Sequence, residues 1–122
     1  LSNAIQWYNG SSVTTGATIG AIGGAVSNTN LIISVQGAGT YAALSCYNSN
    51  VGGYQDWVLP TRYEMETIGN NRAYFPAFPL YEYWTSTEVN ANIAYKYNWA
   101  GSKTWGDDGK FRPCAIRAIR YF

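Results

Sequence analysis

The sequence predicts a small α+β domain: a short N-terminal strand, two or three short helices, then a meander of strands reaching the C-terminus. Three observations predict it. Thr61-Arg62-Tyr63-Glu64 has the form of a capping box, which starts a helix. Tyr41, Leu44 and Tyr47 recur at helical spacing. Ile93, Tyr95, Tyr97 and Trp99 alternate with Ala94, Lys96 and Asn98, the period of a half-buried strand.

Taken in order, Ile5-Gln6-Trp7-Tyr8 reads as a strand stopped by the turn-forming Asn9-Gly10. Residues 10–26 are rich in Gly, Ser, Thr and Ala and read as a long loop. Gly16-x-x-x-Gly20-x-x-Gly23-Gly24 lacks the Lys-Ser/Thr ending of a phosphate-binding loop. Ser27-Asn28-Thr29-Asn30 offers N-caps for a helix through Leu31, Ile32 and Val35 to Gln36, closed by Gly37. Thr40 caps a second helix, Tyr41 to Tyr47, ended by Asn48-Ser49-Asn50. Gly52-Gly53 opens a turn into Tyr54-Gln55-Asp56-Trp57-Val58-Leu59-Pro60.

In the capping box, the Thr61 hydroxyl accepts from the Glu64 amide and the Glu64 carboxylate returns to the Thr61 amide. This role accounts for Glu64 without a catalytic one. Pro60 and Met65 are the staple positions, and the helix should run from Arg62 to about Ile68 and stop at Gly69. Residues 70–82 carry two prolines and several rings, the mark of a loop packed by its own side chains. Strands follow at Tyr83–Glu88 and Ile93–Trp99. Gly101-Ser102 and Gly106-Asp107-Asp108-Gly109 have turn chemistry, and Cys114–Tyr121 reads as the last strand.

Composition narrows the function. The 122 residues make one domain, 1–122. The opening Leu-Ser-Asn-Ala suggests a piece cut from a longer chain, with this domain as its C-terminal part. Charged residues are 12%, about half the usual share, and net charge is +1. No basic field is present to hold nucleic acid. No apolar run approaches about 18 residues, so no membrane insertion is expected. The sequence has two Cys and no His, which removes the commonest general base, the commonest zinc ligand and every Ser-His or Cys-His pair. Two Cys do not complete a structural zinc site. A non-enzymatic domain without a cofactor is therefore expected. Its Tyr, Trp, Asn, Gly and Ser are the palette of adaptable contact surfaces.

Four segments in order carry a family resemblance. They are Gln36-Gly37-Ala38-Gly39 through Ala42-Ala43 to Cys46, Gly53-Tyr54-Gln55-Asp56-Trp57-Val58-Leu59-Pro60-Thr61, Tyr83-Trp84-Thr85-Ser86-Thr87-Glu88, and Cys114-Ala115-Ile116-Arg117-Ala118-Ile119-Arg120. Together they resemble the bacterial and phage DUF1566 group, also described as the Lcl-type or Fibrobacter paralogous domain. That group is similar to the C-type lectin fold, with its formylglycine-generating branch and its retroelement-diversified phage receptor binders. The resemblance implies an α+β C-type-lectin-like domain. Two main short helices would flank a twisted, mostly antiparallel sheet, with long irregular loops and paired terminal strands.

The resemblance also implies a disulfide between Cys46 and Cys114, matching the family's long-range bridge from first helix to last strand. Closing a loop of about 70 residues would stabilise by about 4 kcal/mol in the chain-entropy model. The alternative is two buried free thiols. An extracellular, cell-surface or virion setting fits the bridge and the low charge.

A ligand surface is expected between Glu88 and Arg112, built from Asn90, Asn92, Tyr95, Tyr97, Trp99, Trp105 and Asp107. Tyr95, Tyr97 and Trp99 have core packing as their competing role, whereas Asn90, Asn92, Trp105 and Asp107 sit in expected turns. The partner would be a host cell-surface protein or a glycan. Sister subunits in a fibre or oligomer are the second reading, and an enzyme of the formylglycine-generating type, holding copper on its cysteines, is the third. Ca²⁺ would need six to eight oxygens. Asp107-Asp108 offers two, and the Glu-Pro-Asn and Trp-Asn-Asp segments of sugar-binding C-type lectins do not occur.

Overall fold

A computed structural model describes residues 4–71, 82–98 and 104–121, with Thr104 and Trp105 described by backbone alone. The helices are α1 (Ala25–Gln36), α2 (Ala42–Tyr47) and α3 (Arg62–Asn70). The strands are β1 (Glu82–Glu88), β2 (Ile93–Asn98) and β3 (Thr104–Gly109). The architecture is α+β, with an antiparallel sheet in the order β1-β2-β3. Residues 72–81 of the ring-rich segment expected at 70–82, the turn at Gly101-Ser102 and Trp99 lie outside the described residues.

The capping box forms as expected. Glu64 N donates to Thr61 Oγ1 at 3.3 Å, and Thr61 N donates to Glu64 Oε1 at 2.9 Å. Helix α3 runs two residues past the expected stop, because Gly69 is buried inside it and Asn71 is the C-cap. Helix α1 ends where expected, at Gly37, whose φ of 77° suits a residue without Cβ. It begins at Ala25, upstream of the expected cap cluster. Asn28 and Thr29 are buried within it, alongside Ala25 and Ile32 at helical spacing. Their polar atoms explain the placement. Asn28 Oδ1 accepts from Ile19 N at 3.2 Å and Nδ2 donates to Ile19 O at 2.7 Å. Thr29 Oγ1 accepts from Leu59 N at 3.1 Å. These residues pin neighbouring segments to the helix instead of capping it.

Helix α2 buries Ala42, Ala43 and Cys46, leaving Tyr47 exposed. Its N-cap is Tyr41, which makes no side-chain cap bond, so the expected Thr40 cap is not used.

The sheet lies between two clusters. Trp84 and Ala94 join the main core with Trp7, Ile32, Tyr41, Ala43 and Leu59. Tyr83 and Tyr97 pack with Met65 of α3 and Ala115. Strand β1 is therefore buried on both faces, and its threonine hydroxyls donate to backbone carbonyls. Thr85 Oγ1 donates to Tyr95 O and Thr87 Oγ1 to Ile19 O. The indoles of the core reciprocate across the chain, Trp7 Nε1 donating to Thr85 O and Trp84 Nε1 to Ile5 O.

Two segments differ from expectation near the C-terminus. Gly106-Asp107-Asp108-Gly109 is strand, not turn, and pairs with Ile93–Lys96. Lys96 draws it in, its ammonium lying 2.9 Å from Asp108 and 2.6 Å from Glu82; tertiary pairing here overrides local propensity. Residues 114–121 form no continuous ladder. They lace together three distant places through single bridges, Cys114 with Ile5, Ala115 with Tyr83 and Ile119 with Val58. The first is all that forms of the expected pairing of terminal strands: Ile5–Tyr8 is not a strand, because beside the Ile5–Cys114 bridge Trp7 N turns to Lys110 O and Ala115 N to Glu82 O.

The expected disulfide is absent. Cys46 and Cys114 are both buried with free thiols. Both belong to the main apolar cluster, where burial pushes each thiol up to about 12. They fill the core as small apolar groups. The long-range connection comes from the Ile5–Cys114 backbone exchange, at 2.9 and 3.1 Å.

Candidate functional site

The Gly53–Thr61 and Cys114–Arg120 segments meet in space. Val58 and Ile119 exchange backbone hydrogen bonds of 2.8 and 2.9 Å, fixing the two segments side by side. Ahead of Val58, a single 3-10 turn at Val51–Gly53 folds back. Trp57 Nε1 donates to Val51 O at 3.1 Å and so holds the indole against that turn. Arg120 grips Asp56 through two bonds, Nε to Oδ1 at 2.7 Å and Nη2 to Oδ2 at 3.1 Å. Its guanidinium lies 3.6 Å from the Tyr54 ring centroid, a stacked cation–π contact. The Arg120 bonds hold the Asp56 carboxyl below the usual carboxylate range.

These contacts wall an open groove of about 660 Å³, floored by Ile68 of α3 with Ala118 and Ile119, and flanked by Val51, Tyr54, Trp57, Arg117 and Arg120. A smaller hollow of about 250 Å³ adjoins it, sharing Ile68, Ile119 and Arg120 and reaching Ile22 and Thr67. Apolar walls with ring faces and a few fixed polar groups are what a small ligand site is made of. The bonds to Asp56 raise Arg120 above the ordinary arginine range, so its guanidinium stays protonated and transfers no proton. Asp56 is committed to Arg120, and Glu64 to its helix cap. The arrangement is suited to holding a ligand.

The residues expected to contact a ligand fall into neighbouring pairs with differing roles, Asn90 with Asn92 in one turn and Tyr95 opposite Asp107 across the sheet. Asn90 is exposed, but its Oδ1 accepts from Asn92 N at 2.8 Å and Ile93 N at 3.0 Å, so it builds the β1–β2 turn. Asn92 is exposed, and its backbone carbonyl accepts from Lys110 N. Tyr95 is half-buried with the Arg62 guanidinium 4.3 Å from its ring centroid, and Asp107 is exposed on the paired position of β3. Tyr97 is 3% exposed in the core beside Met65, which removes it from any contact surface. The side chains of Trp99 and Trp105 lie outside the described residues, though the Trp105 backbone pairs with Tyr97. Asp107 and Asp108 follow each other along β3 and so point to opposite faces. Asp108 is taken by Lys96 and Arg112. Among the described residues, no three Cys, Asp or Glu side chains gather as a metal cluster would.

Sequence reasoning missed the groove itself, although both of its main segments stood out as motifs. It also missed a buried ion pair behind the sheet. Lys110 Nζ lies 2.7 Å from Glu88 Oε1, with both side chains almost fully buried. Glu88 also accepts from Thr15 N and Oγ1 and from Gly16 N. Lys110 donates to Val13 O at 3.2 Å and sits over the Trp7 ring. Its one sequence signal was the glutamate closing the Tyr83–Glu88 motif.

No curated protein matches the chain. The family described as Lcl C-terminal domain matches residues 2–120, a span that contains all four signature segments and both walls of the groove. The chain belongs to the Lcl C-terminal domain family.

Proposed function

We propose that this domain is a non-catalytic recognition module of the C-type-lectin-like kind, displayed on a bacterial surface or a virion, that binds a cell-surface receptor or glycan. One observation carries the reading. Two family-signature segments converge on an open groove of about 660 Å³ whose exposed rim is Tyr54 stacked on Arg120. Ring faces accept the apolar faces of sugars or the anchor side chains of a protein partner, and the fixed guanidinium supplies direction. Buried thiols that keep their protons to about 12 are poor copper ligands, which weighs against the formylglycine-generating reading.

The test is binding of the purified domain to cells and to immobilised glycans. Tyr54 is half exposed, so Tyr54→Ala should leave the thermal transition nearly in place, the lost exposed cation–π contact being about 0.5–1 kcal/mol. It should weaken binding by about 30-fold, the scale of a hot-spot residue. Undiminished binding by Tyr54→Ala, with loss on Trp105→Ala, would move the site to the β2–β3 sheet. A wild-type domain that engages neither cells nor glycans would overturn the reading.

A second reading, assembly into a fibre or oligomer, is favoured by apolar side chains left on the surface of α1 and the loop before it: Ile22 at 70% exposure, with Val26, Leu31 and Val35. Native mass measurement separates the two, since a monomer that binds cells excludes the need for assembly.

A further inference from the structure

Asn9-Gly10 is the one Asn-Gly step in the sequence, and the structure places it in an unusual clasp. Asn9 N donates to Gln36 Oε1 at 3.0 Å. Its side-chain amide donates to Gln36 O at 3.0 Å and to Ala38 O at 2.7 Å. Both amide hydrogens are thus spent on carbonyls, that of Gln36 at the C-terminal end of α1, the negative end of the helix dipole, and that of Ala38 just beyond it. Gly39 closes over the same side chain so tightly that a Cβ there would lie 2.0 Å from Asn9 Oδ1. Gly10 beyond it is exposed and has no side chain to shield its backbone nitrogen.

We propose that Asn9 is a deamidation site gated by the fold: shielded while the clasp is closed, reactive when the N-terminal segment lifts away, and irreversible in its effect. In the open chain the Gly10 nitrogen, having lost its proton to hydroxide, attacks Asn9 Cγ. The N–Cγ bond forms, the Cγ–Nδ2 bond breaks, and the amide nitrogen takes up a proton from water and leaves as ammonia. Water then opens the five-membered imide to aspartate or isoaspartate. In the closed clasp the same step requires Nδ2 to release two acceptors and Cγ to turn toward Gly10, against the packing of Gly39.

The product does not restore the clasp. A carboxylate at this place has no donor for Gln36 O and Ala38 O and sets negative oxygen against two carbonyls. The isoaspartate form also adds a methylene to the backbone at residue 9, two residues beyond Trp7, whose N bonds Lys110 O. Each opening therefore risks a permanent mark on the N-terminal segment.

The experiment compares the intact domain with the same chain in denaturant, incubated in mildly alkaline buffer and sampled by peptide mass spectrometry. Asn9 should convert at least about ten-fold more slowly in the native protein, because reaction must await local opening. A short unstructured Asn-Gly peptide incubated in the same two solvents reports any general difference between them. Equal Asn9 rates in both states, after that correction, would overturn the gate. Gly39→Ala, which forces Asn9 aside, should speed native conversion. Asn9→Asp tests the irreversibility without any reaction. It should lower Tm by about 5–15 °C, more than Asn9→Ala does. An aspartate variant as stable as wild type would overturn that part.

Discussion

Glu64 joins the start of its own helix to two distant parts of the chain on one carboxylate. Oε1 accepts from Thr61 N, and Oε2 accepts from Gly23 N at 2.9 Å and from the Tyr121 hydroxyl. The Tyr121 oxygen in turn accepts from Ala25 N at 3.1 Å, at the start of α1. Partial burial, then the bond to Glu64, pushes the Tyr121 phenol up to about 12 from an ordinary 10. The fold thus favours the protonated phenol. Its contribution is complete below pH 10 and is lost as pH rises from 10 toward 12. Alkaline titration of stability should show this loss, and Tyr121→Phe should remove that part of the pH dependence. The Lys110–Glu88 pair is the second residue-scale feature. Burial alone would raise Glu88, but bonds from Lys110 and Thr15 hold it below the usual carboxylate range. Burial pulls Lys110 below the ordinary lysine range. Lys110→Met leaves a buried carboxylate without its cation and should cost about 3–5 kcal/mol by denaturant unfolding. Adding Glu88→Gln should recover part of that loss, since no charge then remains to be compensated. Neither partner was legible in the sequence as buried, because a Lys and a Glu 22 positions apart look like any two surface charges until the chain brings them together.

At the scale of elements, the start of α3 was the most legible feature, because a capping box needs only four adjacent residues. Thr61 does more in the structure, its hydroxyl also donating to Ala21 O at 3.1 Å. Thr61→Ala should therefore cost about 1–2 kcal/mol, while Thr61→Ser, which keeps both bonds, should cost about 0.5 kcal/mol or less. Chemical denaturation of the two variants checks the difference. Helix α1 was legible at its glycine end and not at its beginning. Its buried stripe, Ala25, Asn28, Thr29 and Ile32, contains two polar residues, and its exposed side carries Val26, Leu31 and Val35. Hydropathy periodicity is blurred when the inward polar groups are satisfied by partners from other segments. Strand β2 was legible from its alternation. Strand β3 was not, because Gly106-Asp107-Asp108-Gly109 has the composition of a turn, and the cross-strand Lys96–Asp108 contact that extends it is invisible locally.

For the whole molecule, the free thiols change the account of stability. The fold is held by a double-faced sheet between two apolar clusters, with Ile5 and Cys114 joined through backbone bonds. Adding reductant should leave Tm unchanged, and native Cys46 and Cys114 should resist alkylation until the protein unfolds, since thiols pushed up to about 12 offer little thiolate. A reductant-dependent Tm would show a bridge instead. Local signals established the α+β class, the run of helices followed by strands and the boundaries set by capping or alternation, while the strand expected at Ile5–Tyr8 is reduced to the single Ile5–Cys114 bridge. Those signals arise between residues a few positions apart. Tertiary contacts alone settled which face of α1 turns inward, that the cysteines stand as core thiols, and that Asp56 grips Arg120, 64 positions away, where Arg120 lines a groove. Such outcomes depend on which distant segments come into contact, and a contact between distant segments leaves no periodicity in either one.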